Sequence, residues 1–183
     1  MPFSFGRASG AQFTTLHDDL QIVLTGGIEV YDFSITQGAR PIEQQIQNIR
    51  NGASKTLDSR HIPRDEDGNY DRNAPCVAAD CTPYTQGVNP WPQDSDPRHV
   101  REKKKARFYF MQGIFLTIAQ QNGIEIRQGI DWDRDADIFD QTFDDLPHLE
   151  LHRSIPRLIV PDDLLEQANE ALRSRGLKEH RNP

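Results

Sequence analysis

Four residues of metal-ligand type occur in the order His61, Asp80, Asp145, His148, each in a distinctive local context. These are Ser59-Arg60-His61, Ala78-Ala79-Asp80 and Asp145-Leu146-Pro147-His148-Leu149-Glu150-Leu151. Two imidazoles and one carboxylate are a standard ligand set for a catalytic zinc with an open fourth position. A further carboxylate, three residues before the last histidine, is available as general base toward an activated water. The set suggests a zinc hydrolase.

Each residue also has an ordinary role to weigh against this chemistry. His148 opens the strand candidate His148-Leu149-Glu150-Leu151-His152. Its period of two puts His148, Glu150 and His152 on one face and Leu149 and Leu151 on the other. A lone strand histidine is more often structural. Here Asp145 precedes it and Glu150 shares its face, which favours a ligand whose imidazole Glu150 orients. His152 competes for the same place. Asp80 shares a face with Ala78, while Val77, Ala79 and Cys81 point the other way. A carboxylate in so apolar a strand needs a partner, either a metal or an arginine such as Arg40 or Arg60. His61 gains its weight only from the set.

The elements that must position these residues follow from periodicity. Leu16, Leu20, Ile22, Val23 and Leu24 predict a helix over 10–24, ended by Gly26-Gly27. Residues 30–36 read as a strand and 40–49 as a helix with Ile42, Ile46 and Ile49 on one face. Residues 62–75, rich in Asp, Asn, Pro, Gly and Arg, read as an exposed loop. Residues 76–83 form a strand candidate. A long helix starts at Asp96-Pro97, with Asp as N-cap, and carries Phe108, Met111, Phe115, Ile118 and Ala119 on one face before Gly123 ends it. Strands are predicted over 124–127 and 148–151, and an amphipathic helix over 162–175. The last residues, 178–183, are expected to fray. Strands and helices mix without βαβ alternation, which predicts an α+β fold.

Composition narrows the class. A chain of 183 residues supports one domain with a core. A net charge of −7 argues against a general nucleic-acid binder. The basic run Arg98, Arg101, Lys103, Lys104, Lys105, Arg107 reads as a solvated helical face. Asp131-Trp132-Asp133-Arg134-Asp135-Ala136-Asp137 offers hard oxygen ligands for Ca2+. It lacks the glycine and terminal glutamate of an EF-hand loop, so a solvated acidic loop is the favoured reading. Cys76 and Cys81 are expected as free thiols. No signal-like or membrane-spanning apolar run is present, so no stable membrane insertion is expected.

Together these pieces resemble the zinc peptidase family of D-Ala-D-Ala carboxypeptidases and phage L-alanyl-D-glutamate endopeptidases. The matching stretches run from about Ser9 to His152. They are Gly38-Ala39-Arg40 with Gln45, Gly52-Ala53-Ser54-Lys55-Thr56 leading to Ser59-Arg60-His61, Ala78-Ala79-Asp80 with Pro83-Tyr84 and Trp91, Asp131-Trp132, and Phe143 to Leu151. The resemblance implies one Zn2+ on His61, Asp80 and His148, with Asp145 as catalytic base and Arg40 stabilising the substrate carbonyl or its oxyanion. Ser59, Gln45, Glu150 and Trp132 are implied as supporting or substrate-contacting residues. It further implies the small antiparallel α+β fold shared with the hedgehog signalling domain and DD-peptidases. The peptidase domain is expected over 1–153, with 154–183 a helical extension packed on it or trailing from it. The substrate is expected to be the peptidoglycan stem peptide, cut at L-Ala–D-Glu by a monomeric phage endolysin. Such a protein is made in the cytoplasm and acts on the cell wall after release. D-Ala-D-Ala carboxypeptidase and a non-catalytic peptidoglycan-binding module are the alternatives. Two departures stand out. Asp80 follows His61 by 19 positions, where the family has a shorter spacing, so Asp65, Asp67 and Asp71 compete; the Ala-Ala-Asp context favours Asp80. Gln128-Gly129-Ile130 replaces the usual tryptophan-glycine pair before Asp131-Trp132.

Overall fold

The computed structural model describes residues 3–183. Nine elements follow in chain order: α1 (Arg7–Phe13), α2 (Asp18–Val30), β1 (Phe33–Gln37), α3 (Ile42–Arg50), β2 (Ala78–Pro83), α4 (Arg98–Gln121), β3 (Ile126–Gln128), β4 (His148–Leu151) and α5 (Asp162–Ser174). The strands form one antiparallel sheet in the order β1-β2-β4-β3. The fold is α+β. Among the described residues no helix is long and apolar enough to cross a membrane.

The first helix differs from its sequence reading at both ends. It is broken at residues 14–17, where Leu16 bridges to Cys76 and the His17 Nδ1 accepts the Asp19 amide as a cap for α2. The period of Leu16, Leu20, Val23 and Leu24 continues through the break because all four enter the same core. Gly26 and Gly27 do not end the helix. They lie inside α2 at its contact with α4, where a Cβ on Gly27 would stand 2.7 Å from the Phe115 ring. Gly27 thus sets the approach of the two helices. Gly27→Ala is expected to cost about 1–3 kcal/mol through overpacking, offset in part by ~1 kcal/mol of helix propensity. A thermal melt should fall by a few degrees; an unchanged midpoint would mean the helices can part freely.

The cross-strand register decides which side chains meet. Asp80 pairs with His148, Ala78 with Glu150, and Glu150 with Arg127. Partners share a face, so these polar groups line one side of the sheet. Ala79, Cys81, Leu149 and Leu151 point to the other side and pack with α2 and α4 in the main core. Gln112 of α4 is fully buried there and donates to the backbone carbonyls of Leu146 and His148.

A second apolar cluster joins Ile42, Ile46 and Ile49 of α3 to Leu57, Ile62, Leu158, Val160 and the inner face of α5. The chain end is not frayed. His180 is buried, its amide donates to the Asn169 side chain, the Asn169 amide donates back to the His180 carbonyl, and Asn182 brackets Val160. These bonds hold residues 180–182 against α5 and the preceding strand-like segment. At the start of α4, Pro97 rather than Asp96 is the cap residue, and it makes no side-chain cap bond. Asp96 instead pairs with Lys104 at 2.8 Å, so one member of the basic run is buried and structural. Arg107 is likewise engaged, with Tyr31, Thr85 and the Tyr84 carbonyl.

Candidate metal centre

His61, Asp80 and His148 converge although they come from a turn and two different strands. The His61 Nε2 lies 3.2 Å from Asp80 Oδ1 and 3.3 Å from His148 Nδ1, and His148 Nδ1 lies 3.2 Å from the same Asp80 oxygen. The outer nitrogens are fixed by other partners. His61 Nδ1 stands 3.0 Å from the Gly38 carbonyl, which accepts only, so Nδ1 carries the proton and Nε2 presents a lone pair. His148 Nε2 stands 3.0 Å from Glu150 Oε2, which by the same argument leaves Nδ1 turned to the centre.

Two occupants can satisfy such a triangle. One is a proton on His148 Nδ1, shared between Asp80 and His61. Charge-assisted bonds of that kind contract to about 2.7–2.9 Å, shorter than either contact seen. The other is a cation. Tetrahedral zinc with bonds of ~2.0–2.2 Å spaces neighbouring ligand atoms ~3.3–3.6 Å apart. The near-equal edges of 3.2–3.3 Å match the cation better, and the N, N, O donor set suits zinc.

The electrostatics agree with a site built for positive charge. Burial would raise the Asp80 carboxyl, but the His61 and His148 imidazoles outweigh it and hold the group well below the usual carboxylate range. Burial would lower His148, but Asp80 and Glu150 raise it to about 9 in the metal-free protein. Glu150 is itself buried; His148 and Arg127 overcome the desolvation and keep it ionised. Arg127 takes Glu150 Oε1 with Nε at 2.8 Å and Nη2 at 2.6 Å.

Arg40, Ser59, Trp132 and Asp145 line a cleft of about 760 Å³ that opens on the centre. The Asp145 side chain makes no hydrogen bond to a described residue. Its backbone is fixed: the Asp145 amide donates to the Gly129 carbonyl at 2.7 Å, and its carbonyl accepts from the His148 amide. A Cβ at Gly129 would collide with the Asp145 carbonyl oxygen, so only glycine allows this approach. Burial and the Asp80 charge raise the Asp145 carboxyl, opposed by His148, His61 and Arg40. Arg40 holds Nη2 at 3.7 Å from Asp80 Oδ2 and donates through Nη1 to Gln45. Gln45 is fully buried and is anchored by Ser54 and the Thr56 carbonyl. The Ser59 hydroxyl accepts the His61 amide and so shapes the turn that presents the His61 imidazole. The Trp132 ring lies 5.4 Å from His148 and stacks on Phe143.

Other candidates lie elsewhere. His152 is exposed and donates its amide to the Glu125 carbonyl, outside the centre. Asp65 and Asp71 accept backbone amides within their own loop. Asp80 is partnered by Arg40, whereas Arg60 turns to Glu150. Asp131, Asp133 and Asp135 gather their oxygens within 4.8 Å of one another, and Asp131 and Asp135 accept amides of their own loop. Cys76 and Cys81 are free and buried. Sequence reasoning missed the Gly38 carbonyl, which fixes the His61 tautomer, and Arg127, which faces Glu150 only by virtue of the β3–β4 register.

Comparison with known proteins gives one family by two routes and the same fold by a third. The family model for phage L-alanyl-D-glutamate peptidase matches residues 1–152. The L-alanyl-D-glutamate peptidase of Escherichia phage T5 is 32% identical over 146 residues, covering 77% of this chain and 90% of that protein. The crystal structure of the Serratia marcescens L-Ala D-Glu endopeptidase ChiX shares the fold, with a TM-score of 0.58 and 22% identity over 81% of this chain and 90% of that one.

Proposed function

The chain belongs to the phage L-alanyl-D-glutamate peptidase family, and from that premise we propose that it is a zinc-dependent peptidoglycan peptidase of endolysin type, cutting the L-Ala–D-Glu bond of the stem peptide. The observation that carries the zinc dependence is the triangle of His61 Nε2, His148 Nδ1 and Asp80 Oδ1, with edges of 3.2–3.3 Å.

His61, Asp80 and His148 would hold the ion. Zinc in such a set supplies a Lewis acid that acidifies water and polarises a carbonyl. Asp145 accepts the proton of the attacking water and passes it to the leaving amine of D-Glu. Its partial burial suits it to both roles, because a raised carboxyl is a stronger base and a competent acid. Arg40, oriented by Gln45, donates to the oxyanion that develops on the scissile carbonyl. Glu150 keeps the His148 ring in the tautomer that turns Nδ1 inward. Trp132 and Phe143 form an apolar wall of the cleft against which a peptide can lie.

Digestion of purified peptidoglycan, with fragments identified by mass spectrometry, tests the bond that is cut. New D-Glu amino termini are expected. Release of terminal D-Ala alone would instead indicate a carboxypeptidase. No release from several wall types, with zinc bound, would indicate a binding module.

A further inference from the structure

The cleft carries a cation that the steps above leave unused. Besides Arg40, the basic residues lining it are Arg60 and Lys55. Arg40 donates to Gln45 and is the residue given to the oxyanion above. Arg60 stands 3.8 Å from Glu150 Oε1, which is too long for a hydrogen bond. Both Glu150 oxygens are already taken, Oε2 by His148 and Oε1 by Arg127. Among the described residues the Arg60 guanidinium makes one hydrogen bond, from Nη1 to the Arg153 carbonyl. A guanidinium has five N–H donors, so most of them have no hydrogen-bond partner among the described residues, on a side chain that lines the cleft. The side chain is 29% exposed, a charge partly withdrawn from water whose neighbouring carboxylate, Glu150, is hydrogen-bonded to His148 and Arg127 instead.

The substrate of the proposed reaction supplies one. In a stem peptide the D-Glu nitrogen belongs to the scissile amide and its γ-carboxyl continues the chain. The α-carboxylate therefore stays free, on the same carbon that bears the leaving nitrogen. Arg60 directly precedes the ligand His61 in a turn fixed by two bonds. These run from the Arg40 amide to the His61 carbonyl and from the His61 amide to the Ser59 hydroxyl. The backbone that carries Arg60 is thus held in a set relation to His61. Resting on the peptidase reading, we infer that Arg60 binds the free α-carboxylate of the D-glutamyl residue and makes that carboxylate a determinant of specificity.

Lys55 is the competing reader. It is exposed, makes no ion pair among the described residues, and ends in a solvated ammonium on a flexible stem. A planar guanidinium fork, partly desolvated and anchored at one nitrogen, matches a carboxylate better and loses less freedom in binding it.

The test uses two synthetic stem peptides, one with D-Glu and one with its α-carboxamide, D-isoglutamine, cut by the zinc-loaded full chain. The unaltered protein is expected to favour the acid in kcat/KM by about tenfold or more, the scale of a hydrogen bond to a charged group. Arg60→Gln should lower kcat/KM for the acid and bring the ratio near one; Arg60→Lys should keep part of the preference. Lys55→Met should leave the ratio intact. The ratio is internal to each variant, so a general loss of folding or metal does not move it. Equal cleavage of both peptides by the unaltered protein overturns the assignment, as does a ratio levelled by Lys55→Met and kept by Arg60→Gln. Should Arg60→Gln cut neither peptide, the Arg60→Lys ratio decides between the same two outcomes. Failure of the unaltered zinc protein to cut either peptide would sink the peptidase reading itself.

Discussion

Asp145→Asn is expected to keep its zinc and to lose turnover by about 10²- to 10⁴-fold, the usual contribution of a positioned acid–base group. The reason lies in how the residue is held. Its backbone is locked on both sides, by the Gly129 carbonyl and the His148 amide, so the side chain occupies the cleft whatever its own chemistry. The carboxylate is tied to no described side chain and is not one of the three clustered ligand atoms. Asparagine keeps the shape and removes only the capacity to carry a proton. Metal analysis and kcat on the same preparation separate the two properties. Loss of zinc in this variant would make Asp145 a ligand; undiminished turnover would remove it from the mechanism.

His148→Ala should lose both metal and turnover. It deletes one vertex of the triangle and leaves Glu150, buried to 2% exposure, without its imidazole partner. A buried carboxylate deprived of a partner costs about 3–5 kcal/mol when the pair is broken, although Arg127 still holds the other oxygen here. His148→Gln, which can still donate to Glu150, should recover stability without recovering activity. In the metal-free protein His148 keeps its proton up to about 9, whereas an unperturbed histidine loses it near 6.5. The stabilisation from this shift is full below about 6.5 and is lost as pH rises through about 9. A metal ion must displace that proton. Calorimetry in buffers of different ionisation enthalpy should therefore show about one proton released per zinc between these values. Zinc binding without proton release would mean that His148 is neutral before the ion arrives. Full activity in His148→Ala would remove the residue from the centre.

The sequence made the strand half of the centre readable and the loop half hard to read. The period-two pattern of β4 puts His148 and Glu150 on one face, and β2 does the same for Asp80, as the structure shows. What no periodicity carries is register. Asp80 opposite His148, and Arg127 opposite Glu150, follow from pairing between distant segments. His61 sits in a turn shaped by Ser59, Arg40 and Gly38, none of which leaves a periodic signature. The misread elements have the same origin. Gly26-Gly27 looked like a stop because glycine weakens helices, yet α4 lies against that face and excludes a side chain. A short polar tail reads as frayed, yet the Asn169 side chain satisfies both the amide and the carbonyl of His180 across 11 positions. Local propensity loses in each case to a tertiary contact.

The central claim is that a zinc ion on His61, Asp80 and His148 makes the chain cut L-Ala–D-Glu bonds. It is tested most directly by stripping the protein of metal and titrating zinc back while counting new D-Glu amino termini. Activity should be absent at the start and rise linearly to a break at one zinc per chain. Full cleavage by the metal-free protein, or a break unaffected by His148→Ala, would contradict it.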